Sequence, residues 1–237
     1  MDDSILIVDD SPYIVDGLVA LLKRKGFKPI SAHGGEEAIA LLSTCNPDLI
    51  LLDIMMEPMD GWETLEIIKA NPETRDLPVL MFSAKKITPA EAQEHCLNIE
   101  DFVSKPVNPA HLLDSIKRIF ERRSSVKLEA GIAKDAGLDA SIIGEYSALR
   151  KSIDVDRNLL TVLKNSSCMN IPGRVVPEDV LQAINKLVEK IKADELRLKE
   201  INEKFAKGGW WACANAFCCL FLDTEAISSP LSAHTNL

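Results

Sequence analysis

Four apolar runs in the first half of the chain each end in, or pass directly into, a polar residue. They are LIVDD at Leu6 to Asp10, LILLDI at Leu49 to Ile54, LMFSA at Leu80 to Ala84 and DFVSKP at Asp101 to Pro106. Short continuous apolar runs of this kind are strands buried on both faces, the pattern of a parallel sheet covered by helices. Strands are expected near residues 4–9, 28–32, 48–53, 78–83 and 101–104, with helices near 12–25, 35–45, 61–70, 88–97 and 108–123. Asn46-Pro47, Asn71-Pro72 and Leu77-Pro78 punctuate the connections, and Gly26 is placed to end the first helix. Alternation of this kind predicts an α/β fold in which a five-stranded parallel sheet is doubly wound by right-handed crossovers.

Such sheets bind ligands outside the carboxyl ends of their strands. That is where Asp9, Asp10, Asp53, Ser83 and Lys105 fall. Three carboxylates converging there would repel by about 4 kcal/mol per pair at 4 Å and an effective dielectric near 20, so the crevice calls for a cation. A hard divalent ion such as Mg²⁺ suits all-oxygen ligands and keeps positions open for water and phosphate oxygens. The chemistry this suggests is phosphoryl transfer to a carboxylate.

With MDG at Met59 to Gly61 added to the four runs, residues 1 to about 123 resemble a response-regulator receiver domain, a flavodoxin-like fold. The resemblance implies that Asp9 and Asp10 are the acidic pair that holds Mg²⁺, together with Asp53 and the backbone carbonyl of Met55. It makes Asp53 the phospho-acceptor, Ser83 the hydroxyl that hydrogen-bonds the phosphoryl group, and Lys105 its charge partner. Lys105-Pro106 is then a cis peptide bond, which proline tolerates at low cost, and Phe102 occupies the aromatic switch position. Met55 and Lys85 fall at the two positions that gate the hydrolytic water, and their bulk suggests slow loss of the phosphoryl group. Glu57-Pro58 departs from the family's usual Pro-Gly in this loop.

Charge is unevenly placed. Residues 1–123 carry 13 Lys/Arg against 21 Asp/Glu, and residues 124–207 carry 14 against 13. Neither part offers the basic stripe that DNA contacts require, which argues against direct DNA binding. The opening MDDSILIVDD has no basic leader, and the six cysteines show no CxxC spacing; both point to a cytoplasmic protein with reduced thiols.

Past Arg123, Ser124 and Ser125 read either as a hinge or as a continuation of the fifth helix. Two helical stretches follow, joined by a segment containing Ser166, Ser167, Asn170, Pro172 and Gly173. Ile142, Tyr146, Leu149, Ile153, Asp156, Leu160 and Leu163 step by fours and threes, as do Val180, Ile184, Leu187, Ile191, Asp194, Leu198, Ile201 and Phe205. A 4-3 repeat sustained this far is the seam of a coiled coil or helical hairpin, or one face of a small bundle. An antiparallel hairpin pairing Leu163 with Val180 sets Asp156 near Lys186 and Lys190 and Asp194 near Arg150, so that cations flank both seam acids. The division expected is a receiver at 1–123, a helical hairpin or coiled-coil region at 124–207, and a tail at 208–237. Within the tail, WWACANAFCCLFL at Trp210 to Leu222 is too short to span a bilayer as a helix. Packing against the hairpin, or a sequence oddity, is favoured over membrane attachment through Cys218 or Cys219.

Function follows from the pocket. The expected protein is a non-enzymatic two-component response regulator that takes a phosphoryl group from a sensor histidine kinase onto Asp53. It would signal through contacts with an unidentified downstream protein, with homodimerisation as an option. The helical region contains no His and no phosphate loop, so no second phosphotransfer or ATPase chemistry is read there. The rival readings are a constitutive helical scaffold that docks a kinase, and a phosphate sink.

Overall fold

The structure, a computed structural model, describes residues 3–84, 98–135, 139–166 and 178–207. The expected helix near 88–97, Lys85, the segment joining the two C-terminal helices and the tail from residue 208 lie outside the described residues. The element order is β1 (Ser4–Val8), α1 (Pro12–Arg24), β2 (Lys28–Ala32), α2 (Gly35–Leu42), β3 (Leu49–Asp53), α3 (Gly61–Ala70), β4 (Val79–Ser83) and β5 (Asp101–Ser104). Three long helices follow: α4 (Pro109–Asp135), α5 (Ala140–Ser166) and α6 (Glu178–Lys207).

All five strands are parallel, in the order β2-β1-β3-β4-β5. The order reverses between β1 and β3, which makes their carboxyl ends the switch point where open α/β sheets bind ligands. Ile5, Ile7, Leu49, Leu51 and Leu80 face α1 and α4. Leu6, Ile50, Leu52 and Met81 face the opposite side, where Leu65 and Ile68 of α3 pack. Every residue of β3 and β4 is buried, as their unbroken apolar runs require.

The helix ends have local causes. Pro12 opens α1, where its missing N–H costs nothing. Gly26, with φ of 88°, supplies the left-handed residue just past the end of that helix. Asp60 caps α3 in a reciprocal box with Glu63: its side chain accepts from Glu63 N at 2.9 Å, and Glu63 Oε2 accepts from Asp60 N at 3.1 Å.

Ser124 and Ser125 form no hinge, for α4 runs unbroken from Pro109 to Asp135. Helices α5 and α6 form the expected antiparallel hairpin. Leu160 and Leu163 are buried in one cluster with Ile184 and Ile191, and Ile153 of the same seam is buried as well. The cation expected beside Asp156 is in place. Lys190 pairs with Asp156 and donates to Ser152 Oγ at 2.9 Å, while Ser152 donates to Asp194 Oδ2 at 3.0 Å. Arg150, the cation expected beside Asp194, donates to Tyr146 Oη at 3.0 Å. The hairpin is also no free stalk, because Val155 and Leu159 of α5 join the apolar cluster on the α3 side of the sheet.

Candidate functional site

The sheet brings the carboxylates together by register. Val8 lies beside Leu52, so Asp9 and Asp53 leave the two central strands at the same level. Asp9 is fully buried, Asp53 is 2% exposed, and Asp10 faces solvent. Ser11 N donates to Asp9 Oδ1 at 2.8 Å, and Met55 N to Asp53 Oδ1 at 3.3 Å, so each acid is oriented by the loop that follows its strand.

Lys105 reaches in from the end of β5. Its Nζ lies 2.7 Å from Asp9 Oδ2 and 2.6 Å from Asp53 Oδ2, and it sits over the Phe82 ring at 4.7 Å from the centroid. The aromatic face and the two acids together hold the ammonium at the pocket floor. Lys105 N also donates to Ser83 O at 2.7 Å, which ties this residue to the end of β4, where Ser83 is fully buried. Burial raises the Asp53 pKa above the ordinary carboxylate value, against the hydrogen bond and charge of Lys105, which pull it down. Lys105-Pro106 is cis, as the resemblance implied, and so is Glu57-Pro58 in the departing loop.

Gly61 is part of the site although it carries no side chain. A Cβ there would lie 2.0 Å from Asp53 O and 2.7 Å from Ile54 Cα. Only glycine lets the first turn of α3 close against the end of β3, and Gly61 N donates to Ile54 O at 2.9 Å across that contact.

The donor set fits a small hard cation. One oxygen each from Asp9, Asp10 and Asp53 lies within 4.8 Å of the others, and all three are carboxylates, the ligands that Mg²⁺ takes in octahedral oxygen sites.

Phe102 is 2% exposed and shares its apolar cluster with Val155 and Leu159 of α5. Around it lies a set of residues that the sequence reading did not single out. Asn158 of α5 donates to Asp101 Oδ1 and, at 3.4 Å, to Phe102 O. Glu100, 4% exposed, pairs with Arg122 of α4, with Lys151 of α5 at 2.9 Å and with Arg123 at 3.8 Å. Val155 and Leu159, one helical turn apart and off the 4-3 seam, were the signal that α5 has a second buried face.

Comparison with known proteins agrees with this geometry. Residues 5–117 match the family model described as response regulator receiver domain, and residues 122–209 match one described as "Metanogen output domain 2". Protein PilG of Pseudomonas aeruginosa is 33% identical over 113 residues, covering 48% of this chain and 84% of that protein. The heme response regulator HssR of Staphylococcus saprophyticus is 27% identical over 194 residues, covering 78% of each. The chain spans only about half the length of several other curated regulators that it matches. Among solved structures, the N-terminal domain of a response regulator receiver protein from Methanoculleus marisnigri JR1 is 56% identical; the match covers 48% of this chain and 94% of that one, with a TM-score of 0.43.

Proposed function

This chain belongs to the response-regulator receiver family, and from that premise we propose that it accepts a phosphoryl group on Asp53 from a sensor histidine kinase. The observation that carries the reading is the Lys105 ammonium bridging Asp9 and Asp53 at 2.7 and 2.6 Å. A lysine so placed answers to a site built for transferring anionic oxygens.

In the proposed reaction an Asp53 carboxylate oxygen attacks phosphorus, the bond from phosphorus to the kinase's histidine nitrogen breaks, and the electron pair leaves with the imidazole. Lys105 Nζ leaves the carboxylates for a phosphoryl oxygen, and the Ser83 hydroxyl donates to another. Asp9, Asp10, Asp53 and the Met55 carbonyl would hold Mg²⁺, which when bound neutralises charge on the transferring oxygens. Asp9 has two tasks here, since its contact with Lys105 also directs the ammonium at the pocket. Output would pass to a protein partner through the helices beyond residue 123.

The test is Asp53→Asn, which keeps size and polarity but removes the nucleophile. Labelling by acetyl phosphate in the presence of Mg²⁺ should vanish while thermal unfolding stays cooperative. Label retained by that variant would place the acceptor elsewhere.

A further inference from the structure

We propose that Lys69 is a carbon dioxide site, a lysine whose amine adds CO₂ reversibly to form a carbamate held by the cations of Arg123 and Lys151.

Lys69 is half-buried in the last turn of α3, and its Nζ donates to Arg75 O at 2.9 Å and to Leu77 O at 2.7 Å. The carbonyl between those two, Asp76 O, accepts from Arg123 Nη2 at 3.2 Å. Three successive carbonyls therefore set the guanidinium of α4 beside the amine of α3. Lys151 of α5 is drawn to the same place, since it and Arg123 approach one oxygen of Glu100, at 2.9 and 3.8 Å.

The amine thus has cations for neighbours. Carbonyl oxygens only accept, so Arg75 and Leu77 take up two N–H bonds of a neutral amine and leave its lone pair as the remaining position on nitrogen. Burial and the charge of Lys151, with a smaller push from Arg123, oppose the ammonium form; Glu100 and Asp76 favour it, and the pKa is lowered to about 8. At pH 7.5 about one quarter of such amines are neutral, against about one in a thousand at the ordinary 10.5.

The addition needs no further reagent. The lone pair forms a C–N bond to CO₂, one carbon–oxygen π pair moves onto oxygen, and the nitrogen releases a proton to water. An anion then stands where the resting amine is mostly a cation. Its oxygens meet Arg123 and Lys151, whose side chains are 44% and 33% exposed and have room to turn toward them. The same two cations disfavour the ammonium and stabilise the carbamate, a combination that an amine set among acids lacks. Charge at the end of α3 is reversed where α3, α4 and α5 meet, by a reaction independent of the chemistry at Asp53.

The experiment incubates the full chain with ¹³C-labelled bicarbonate at pH 7.5, traps carbamates with triethyloxonium ion and maps the labelled ethyl ester by peptide mass spectrometry. Lys69 should be trapped about ten-fold or more above the exposed Lys117. Lys151→Met removes a cation that both depresses the amine's pKa and holds the product, so trapping at Lys69 should fall several-fold. Trapping at Lys69 no greater than at Lys117 in the unsubstituted chain overturns the proposal. So does a yield that Lys151→Met leaves unchanged or raises.

Discussion

At the scale of single residues, the pocket depends on one position that has no side chain and one whose side chain is exposed. Gly61→Ala drives a methyl group into the carbonyl of Asp53, where the neighbour is backbone and cannot rotate aside. We expect a loss of about 3 kcal/mol, at the upper end of overpacking costs, read from the urea midpoint. A loss below about 1 kcal/mol would mean that α3 can back away from β3. Met55, 55% exposed, sits two residues past Asp53 with its N–H on the Asp53 carboxylate. If its side chain screens the water that hydrolyses the phosphoryl group, Met55→Asn shortens the lifetime of labelled protein several-fold in a chase with unlabelled phosphodonor. An unchanged lifetime would clear Met55 of that role. Met55 was legible in the sequence because it lies just beyond the end of an apolar run, where the strand itself dictates the placement, whereas Gly61 showed only as part of MDG and its contact with the β3 backbone did not.

The elements were less evenly readable. The 4-3 pattern identified one face of α5 correctly, since Ile153, Asp156, Leu160 and Leu163 are all buried. It could not set the register, because several slides of one helix along the other keep apolar residues in contact. The charges did point to one slide: Lys190, expected near Asp156, pairs with it, and that acid's side chain is 2% exposed. Removing the cation alone with Lys190→Met leaves that acid buried and should cost about 2 kcal/mol, below the full value for a buried pair because Lys190 is itself partly solvated. Replacing both partners with leucine should restore most of the stability while freeing the register. Equal stability of the single and double variants, measured by chemical denaturation, would show that the pair is not coupled. Cysteines at 160 and 184, in a chain stripped of its native ones, should crosslink within one molecule under mild oxidation; bridges formed only between molecules would contradict the hairpin. The second face of α5, marked only by Val155 and Leu159 between seam positions, was overshadowed by the longer 4-3 pattern.

At the scale of the whole molecule, receiver and hairpin meet at Glu100. Burial by itself would raise this acid's pKa, but Lys151 and Arg122 outweigh it and hold the group below its ordinary 4.5. Lys69 and Arg123 add positive charge nearby, and Lys69, desolvated and close to Lys151, is itself pulled down to about 8. A depressed folded pKa means stabilisation that is complete above the unfolded value and disappears as pH falls through the folded one. Protection of α5 amides should therefore be level from neutral pH down to about 4.5 and decline below it. Glu100→Gln should flatten that decline; an equally steep fall in the variant would assign the acid sensitivity to another group.

The unbroken α4 has a consequence for any competitor. Only residues 136–139 separate it from α5, so the helix that covers β5 is tethered beside its own binding surface. A short tether of this kind corresponds to a local concentration on the order of millimolar. A second copy or another protein present at micromolar levels would need to bind that edge about a thousand-fold more tightly, roughly 4 kcal/mol, to displace it. Pairing through β5 is therefore suppressed by dilution alone unless the tethered helix has first let go.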